Sequence, residues 1–102
     1  MRTPQDVVRG LTAPERLGLN TRVEIRKAAS QLLDEMPEGS GRLVIDLSYT
    51  REIDSAGLGV LMLIQRHASE RRQAVALRHA SEEIRFLLVL TKLSDLFELD
   101  DA

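Results

Sequence analysis

The stretch RLVIDLSYTREIDSAGLGVLMLI, residues 42–64, decides how this chain folds. It opens on Leu43, Val44, Ile45 and Leu47, a nearly continuous apolar run broken by Asp46. Such a run predicts a strand over 42–48, covered on both faces as in a parallel sheet. The stretch closes on a second apolar run, Val60 to Ile64, behind Gly57 and Gly59. That half predicts a helix from about Ser55 to Arg72. Leu58, Leu61 and Met62 lie on one side of it, and Val60, Ile64 and Ala68 on another. Its first half is apolar almost all round and is expected to be well buried, whereas QRHASERRQ is polar and faces water.

Working outward, Thr21 and Glu24 have the spacing of a capping box, in which each side chain satisfies an orphan amide at a helix start. Ile25, Ala28, Ala29, Leu32, Leu33 and Met36 then recur at helical spacing, and Pro37 and Gly39 end the helix. AVALR, residues 74–78, alternates with period two and reads as a short strand. Ser81 caps a further helix, with Glu82 and Glu83 at its positive end and Ile84, Leu87, Leu88 and Leu90 along it. LFEL, residues 96–99, supplies a last strand. Residues 1–20 are the least legible: Val7 and Val8 seed one strand and RLGL (16–19) a second, with Pro4, Gly10, Pro14 and Gly18 as interruptions. Strands alternating with helices imply a largely parallel or mixed sheet in a small α/β layer. The chain is expected to be one domain over 1–102, with 1–20 its poorly defined strand region.

Composition narrows function. The chain has 102 residues, 43% hydrophobic and 29% charged, as an ordinary globular domain does. With one Tyr, two Phe and no Trp the core is aliphatic and base-stacking platforms are scarce. Fourteen basic and sixteen acidic residues are mixed along the chain for a net charge of −2, so no basic stripe points to nucleic acid or anionic lipid. Cysteine is absent, which excludes disulfides and cysteine metal sites. The N-terminus lacks the apolar core of a signal peptide, and Val60 to Ile64 and Phe86 to Leu90 are too short to span a bilayer. A cytoplasmic domain without membrane insertion, direct nucleic-acid binding or cofactor is the expectation.

Ser55, between Asp54 and the two glycines, admits four readings. As a nucleophile it lacks the glycine two residues earlier that a nucleophile elbow needs, since that position is Ile53. His67 would sit roughly 18 Å further along the same helix, out of reach as a base. His79 follows the next strand at an undetermined place, and both histidines read most simply as surface residues. As a phosphate cradle, Gly57-x-Gly59 runs into Met62 where a dinucleotide fingerprint needs Gly or Ala, and no Walker Gly-Lys-Ser/Thr is present. Those glycines are better explained by close approach of the helix start to the sheet. As a helix cap, Ser55 or Asp54 accepts amide hydrogen bonds, which by itself implies no function. As a modification site, Ser55 would place about −1.5 to −2 charges at the positive end of a helix, opposed by Asp54, and change the sign of the surface without unfolding the domain.

The same stretch resembles the signature of STAS domains of the anti-sigma factor antagonist type. The shared pattern is an apolar strand ending in Asp46, Leu47 and Ser48, then Asp54, Ser55, Ala56, Gly57, Leu58 and Gly59 opening an apolar helix. The likeness extends through AVALR, SEEIRFLLVLTKL and LFEL, over roughly residues 21 to 100. It implies a STAS-like α/β fold, a small mixed β-sheet of about four to five strands covered by α-helices. It further implies that Ser55 is phosphorylated by a partner that is both serine kinase and anti-sigma factor, and that Asp54 to Gly59 contact that partner. The unmodified domain would bind and the phosphorylated domain would release. ATP would belong to the partner, so the chain itself would be no enzyme and need no cofactor. A homo-oligomer is compatible with this. Members of the same family also serve as scaffold subunits of lipid-transport ABC systems or larger sensory assemblies. Residues 1–20 fit the family's opening hairpin poorly, and Arg51 and Glu52 stand where an apolar residue is usual.

Overall fold

The computed structural model describes residues 7–100. The elements, in chain order, are β1 (Val8–Thr12), β2 (Arg16–Leu17), α1 (Arg22–Glu35), β3 (Arg42–Asp46), β4 (Glu52–Ile53), α2 (Ser55–Glu70), β5 (Ala74–Arg78), α3 (Glu82–Leu90) and β6 (Glu98–Asp100). A short 3-10 turn, Leu93–Asp95, precedes β6. Four strands form one sheet in the order β1-β3-β5-β6, and β2 pairs with β4 in a separate two-stranded piece. Every pairing among the described residues is parallel.

The helices follow from the apolar spacing. In α1, Ile25, Ala29 and Leu33 are buried, and Met36 just past the helix is buried with them. In α2 the buried set is Gly57, Val60, Leu61, Ile64 and Ala68. These stripes meet across the α1–α2 contact and cover one face of the sheet. Alternation along β3 and β5 sends Leu43, Ile45, Val75 and Leu77 into the same core, and Ile84 and Leu88 of α3 join it. Each such large aliphatic side chain contributes about 1.5–3 kcal/mol by leaving water.

Val44 and Ala76 point to the other face of the sheet and are also buried. An ion pair lies on that side: Arg42 Nε is 3.0 Å from Glu98 Oε1. Arg42 is on β3 and Glu98 on β6, with β5 between them. The pair therefore passes over β5, where the side chains of Ala74 and Ala76 are small enough to clear it.

Buried Gln73 closes the C-terminal end of α1. Its Nε2 donates to the carbonyl of Leu33 at 2.9 Å, and Arg71 Nη2 donates to that of Met36 at 2.9 Å. These bonds satisfy carbonyls that a helix end leaves unpaired.

Several expectations need correction. Thr21 flanks α1, but the capping box does not form, because Thr21 has no side-chain cap bond. Its Oγ1 instead donates to the carbonyl of Arg16 at 2.7 Å and accepts from the amide of Gly18 at 3.0 Å. The Gly18 amide takes the place of a helix amide as donor to this oxygen, and the bond to the Arg16 carbonyl fixes the hydroxyl in that orientation. Gly10 does not interrupt β1 but lies within it. The interruption assigned to Pro4 lies outside the described residues. The connector after β3 contains the strand β4, which holds β2 in place. The last strand starts at Glu98 rather than at Leu96, because Phe97 is used as a buried plug instead. Finally, the first half of α2 is not buried all round: Met62 is 51% and Leu63 41% exposed. Among the described residues no element covers that side.

Candidate functional site

The site begins with Asp54, whose extended backbone ends β4 and starts α2. Its Oδ1 accepts a hydrogen bond from the Gly57 amide at 2.9 Å, the usual N-cap bond. Its Oδ2 accepts another from the amide of Leu19 at 3.2 Å, 35 residues away. The Gly57 amide, then that of Leu19, hold the Asp54 carboxyl below the usual carboxylate range, with lesser help from the Ala56 amide and the Arg22 charge. Asp54 is therefore the cap, and Ser55 is not.

Gly18 makes this arrangement possible. A side chain at Gly18 would collide with the Asp54 carboxylate. Gly57 has the same role from the helix side, because a Cβ there would run into the carbonyl oxygen of Leu17. That oxygen cannot easily move, since it accepts from the Asp54 amide at 3.2 Å. The expected close approach thus holds for Gly57, with β2 as the strand approached. It fails for Gly59, where a Cβ would meet nothing within 4 Å.

Ser55 occupies the first position of α2 and is exposed. With Asp54 serving as cap, the Ser55 hydroxyl has no hydrogen-bond partner among the described residues. Ala56 and Leu58 are half-buried, Leu58 against the core.

Ala56 and Gly59 form part of a groove of about 1000 Å³ between α1 and α2. Its apolar surface comes from Met62, Leu63, Val23 and Leu96, all substantially exposed. Arg22, Arg26 and Arg66 line it as well, with Glu70 3.8 Å from Arg66, giving it a net cationic rim. On the connector, Tyr49 is 70% exposed. Thr50 beside it is buried, donating from Oγ1 to the Pro14 carbonyl at 2.8 Å. The connector is thus anchored beneath and presents an aromatic ring outward.

Neither histidine serves Ser55. His67 Nε2 lies 2.8 Å from Asp34 Oδ1 on α1, and His79 Nδ1 lies 3.2 Å from Asp46 Oδ1. The Ser48 amide, chiefly, holds the Asp46 carboxyl low, and His79 adds to this. No group of three potential metal ligands occurs among the described residues. No helix among them is long and apolar enough to cross a membrane.

Sequence reasoning located Asp54 to Gly59 but missed Gly18, the Leu19 amide and Arg22. The available signal was modest: a glycine within a possible strand and three residues before a helix cap.

Known proteins share this fold. A family model described as "Mlab, STAS domain" matches residues 5–98. A STAS-domain containing protein of Pseudomonas aeruginosa is 33% identical over 58 residues, 57% of either chain, so the chain spans little more than half of that relative. The crystal structure of TM1081 from Thermotoga maritima, a candidate anti-sigma factor antagonist, superposes with a TM-score of 0.76 at 27% identity. The match covers 95% of this chain and 81% of that one. The anti-sigma factor antagonist SpoIIAA in its unphosphorylated form superposes over 100% of this chain and 84% of its own, with a TM-score of 0.69. At 16% identity it shows the fold alone. The family model covers most of the chain, which therefore belongs to the STAS domain family.

Proposed function

We propose that this chain is an anti-sigma factor antagonist, a protein-interaction module switched by phosphorylation of Ser55. The carrying observation is the division of labour at the start of α2. Asp54 does all the capping, so the exposed Ser55 hydroxyl is available without cost to the helix. In the unmodified state an anti-sigma factor that is also a serine kinase docks on Asp54 to Gly59, the connector and the α1–α2 groove. The exposed apolar side chains there favour docking by leaving water.

Phosphorylation adds about −1.5 to −2 charges at the mouth of a groove with an arginine rim. The helix end tolerates the phosphate, while Asp54 and a partner selected for the cationic rim are repelled by it. In this reading the chain binds and releases; it performs no chemistry, needs no cofactor and inserts in no membrane.

The test is incubation with the cognate kinase and ATP, followed by mapping of the phosphate and partner binding by Ser55→Ala and Ser55→Asp. Modification at Ser55, binding by the alanine variant and at least about tenfold weaker binding by the aspartate variant support the proposal. Absence of phosphate at Ser55 together with equal binding of both variants refutes it.

The apolar groove supports a second reading, a constitutive scaffold subunit of a lipid-transport ABC system or sensory assembly. Its apolar contacts need no phosphate cycle. Co-purification with a transport ATPase that is indifferent to Ser55→Asp would select this reading.

A further inference from the structure

The outward face of α3 carries three large apolar side chains: Phe86 is 65%, Val89 57% and Leu90 63% exposed. They follow one another at i, i+3 and i+4, so they form one patch opposite the buried Ile84 and Leu88. Glu82 and Glu83 stand at the N-terminal end of this patch, and exposed Lys92 just beyond its C-terminal end. The patch is apolar in the middle, acidic at one end and basic at the other, with the half-buried, partnered Arg85 on its flank.

Such a pattern is complementary to itself when inverted. We infer that α3 is a self-association surface, on which a second copy of this chain docks its own α3 antiparallel about a two-fold axis. In that pairing Phe86 packs on Val89 and Leu90 of the partner copy, and Glu83 faces the partner copy's Lys92. Two-fold pairing repeats each contact twice, and antiparallel helices oppose their macrodipoles favourably. A parallel pairing would set acid against acid. A foreign partner has no need of this end-to-end charge inversion, and a second copy satisfies it automatically.

One nine-residue helix per copy is a small interface, below the roughly 1,000 Å² of stable complexes, so the dimer is weak, with Kd on the order of 100 μM. The inference does not depend on Ser55 or on the identity of any regulatory partner.

Sedimentation velocity of the full chain from about 10 μM to about 1 mM reads it directly. The weight-average mass should rise from the monomer's 11.4 kDa towards twice that value. Phe86→Glu should hold the protein monomeric throughout. Glu83→Lys and Lys92→Glu should each weaken association by about threefold or more, and the double reversal should restore it to within about twofold. Thermal unfolding followed by circular dichroism checks that every variant is folded, and Val89→Ser provides a milder apolar change on the same patch. A wild-type mass that stays monomeric to about 1 mM overturns the inference and leaves the patch to a different partner. So does a dimer indifferent to Phe86→Glu and Val89→Ser. A dimer that the double reversal fails to restore overturns the antiparallel pairing.

Discussion

Gly57 and Gly59 lie two residues apart on one helix, and the same substitution at each should have opposite effects. In Gly57→Ala the new methyl falls on the carbonyl oxygen of Leu17, which the Asp54 amide already holds. Relief requires α2 and β2 to separate, and forced overpacking of this kind costs about 1–3 kcal/mol or more. The helix-propensity gain of alanine over glycine, about 1 kcal/mol in a helix interior, offsets part of this. Net destabilisation should be about 1–2 kcal/mol, which for a domain of this size lowers Tm by roughly 4–16 °C. In Gly59→Ala the methyl meets open space, so the propensity gain stands unopposed at about 0.5–1 kcal/mol and Tm rises. Urea and thermal denaturation of both variants, followed by circular dichroism at 222 nm under identical conditions, measure the two signs. Equal stability changes at the two positions would refute the claim that the α2 start is held against β2 by a missing side chain. Because Gly59 lines the groove, the stable Gly59→Ala protein is also a clean probe of partner binding.

Other outcomes follow from single contacts. Gln73→Leu removes the shortest bond to the Leu33 carbonyl, which keeps those from the Met36 amide and Arg71, so urea denaturation should show a loss of about 0.5–1.5 kcal/mol. Both Asp46 and Asp54 have folded pKa values depressed below the unfolded value near 4. A depressed carboxylate stabilises the fold above its unfolded pKa, and that contribution is lost as pH falls through the folded pKa. Tm should therefore be flat in pH from these groups above about 5 and decline on acidification, with a shallower decline in Asp54→Asn. Differential scanning calorimetry between about pH 2 and pH 6 checks this; an unchanged acid slope in the variant contradicts it.

Much of the architecture could be read from residues 42–64. Aliphatic β3 and β5, and the period of α1 and α2, are local signals that tertiary packing reinforces. The failures share a cause. Periodicity tells which residues share a face but not whether anything covers that face, so Met62 and Leu63 were expected inside and lie at the surface. Local capping spacing at Thr21 and Glu24 was correct chemistry, but the Gly18 amide, supplied by the chain's own turn, donates to the hydroxyl oxygen in place of a helix amide. The two-residue strand β4 exists because β2 lies beside it; its own residues, Glu52 and Ile53, carry no strand pattern of usable length. At the site, a cap at Ser55 or Asp54 and a close approach at Gly57 and Gly59 were legible, and the structure selects Asp54 and Gly57. Gly18 and the Leu19 amide were not legible, because their role depends on a segment 35 residues away.

That long-range bond also bears on how Ser55 can be recognised. The two oxygens of Asp54 join the start of α2 to the loop ahead of α1, and Gly18 leaves the space for them. The surroundings of the serine are therefore a conformational epitope rather than a linear one. A peptide of residues 51–63 carries every letter of the motif, yet it lacks the Leu19 amide, the Arg22 charge and the helix that sets the hydroxyl outward. On the proposed reading, a kinase for Ser55 would read whether the domain is folded, and the serine would become a substrate only once the loop at Gly18 and Leu19 had found its place.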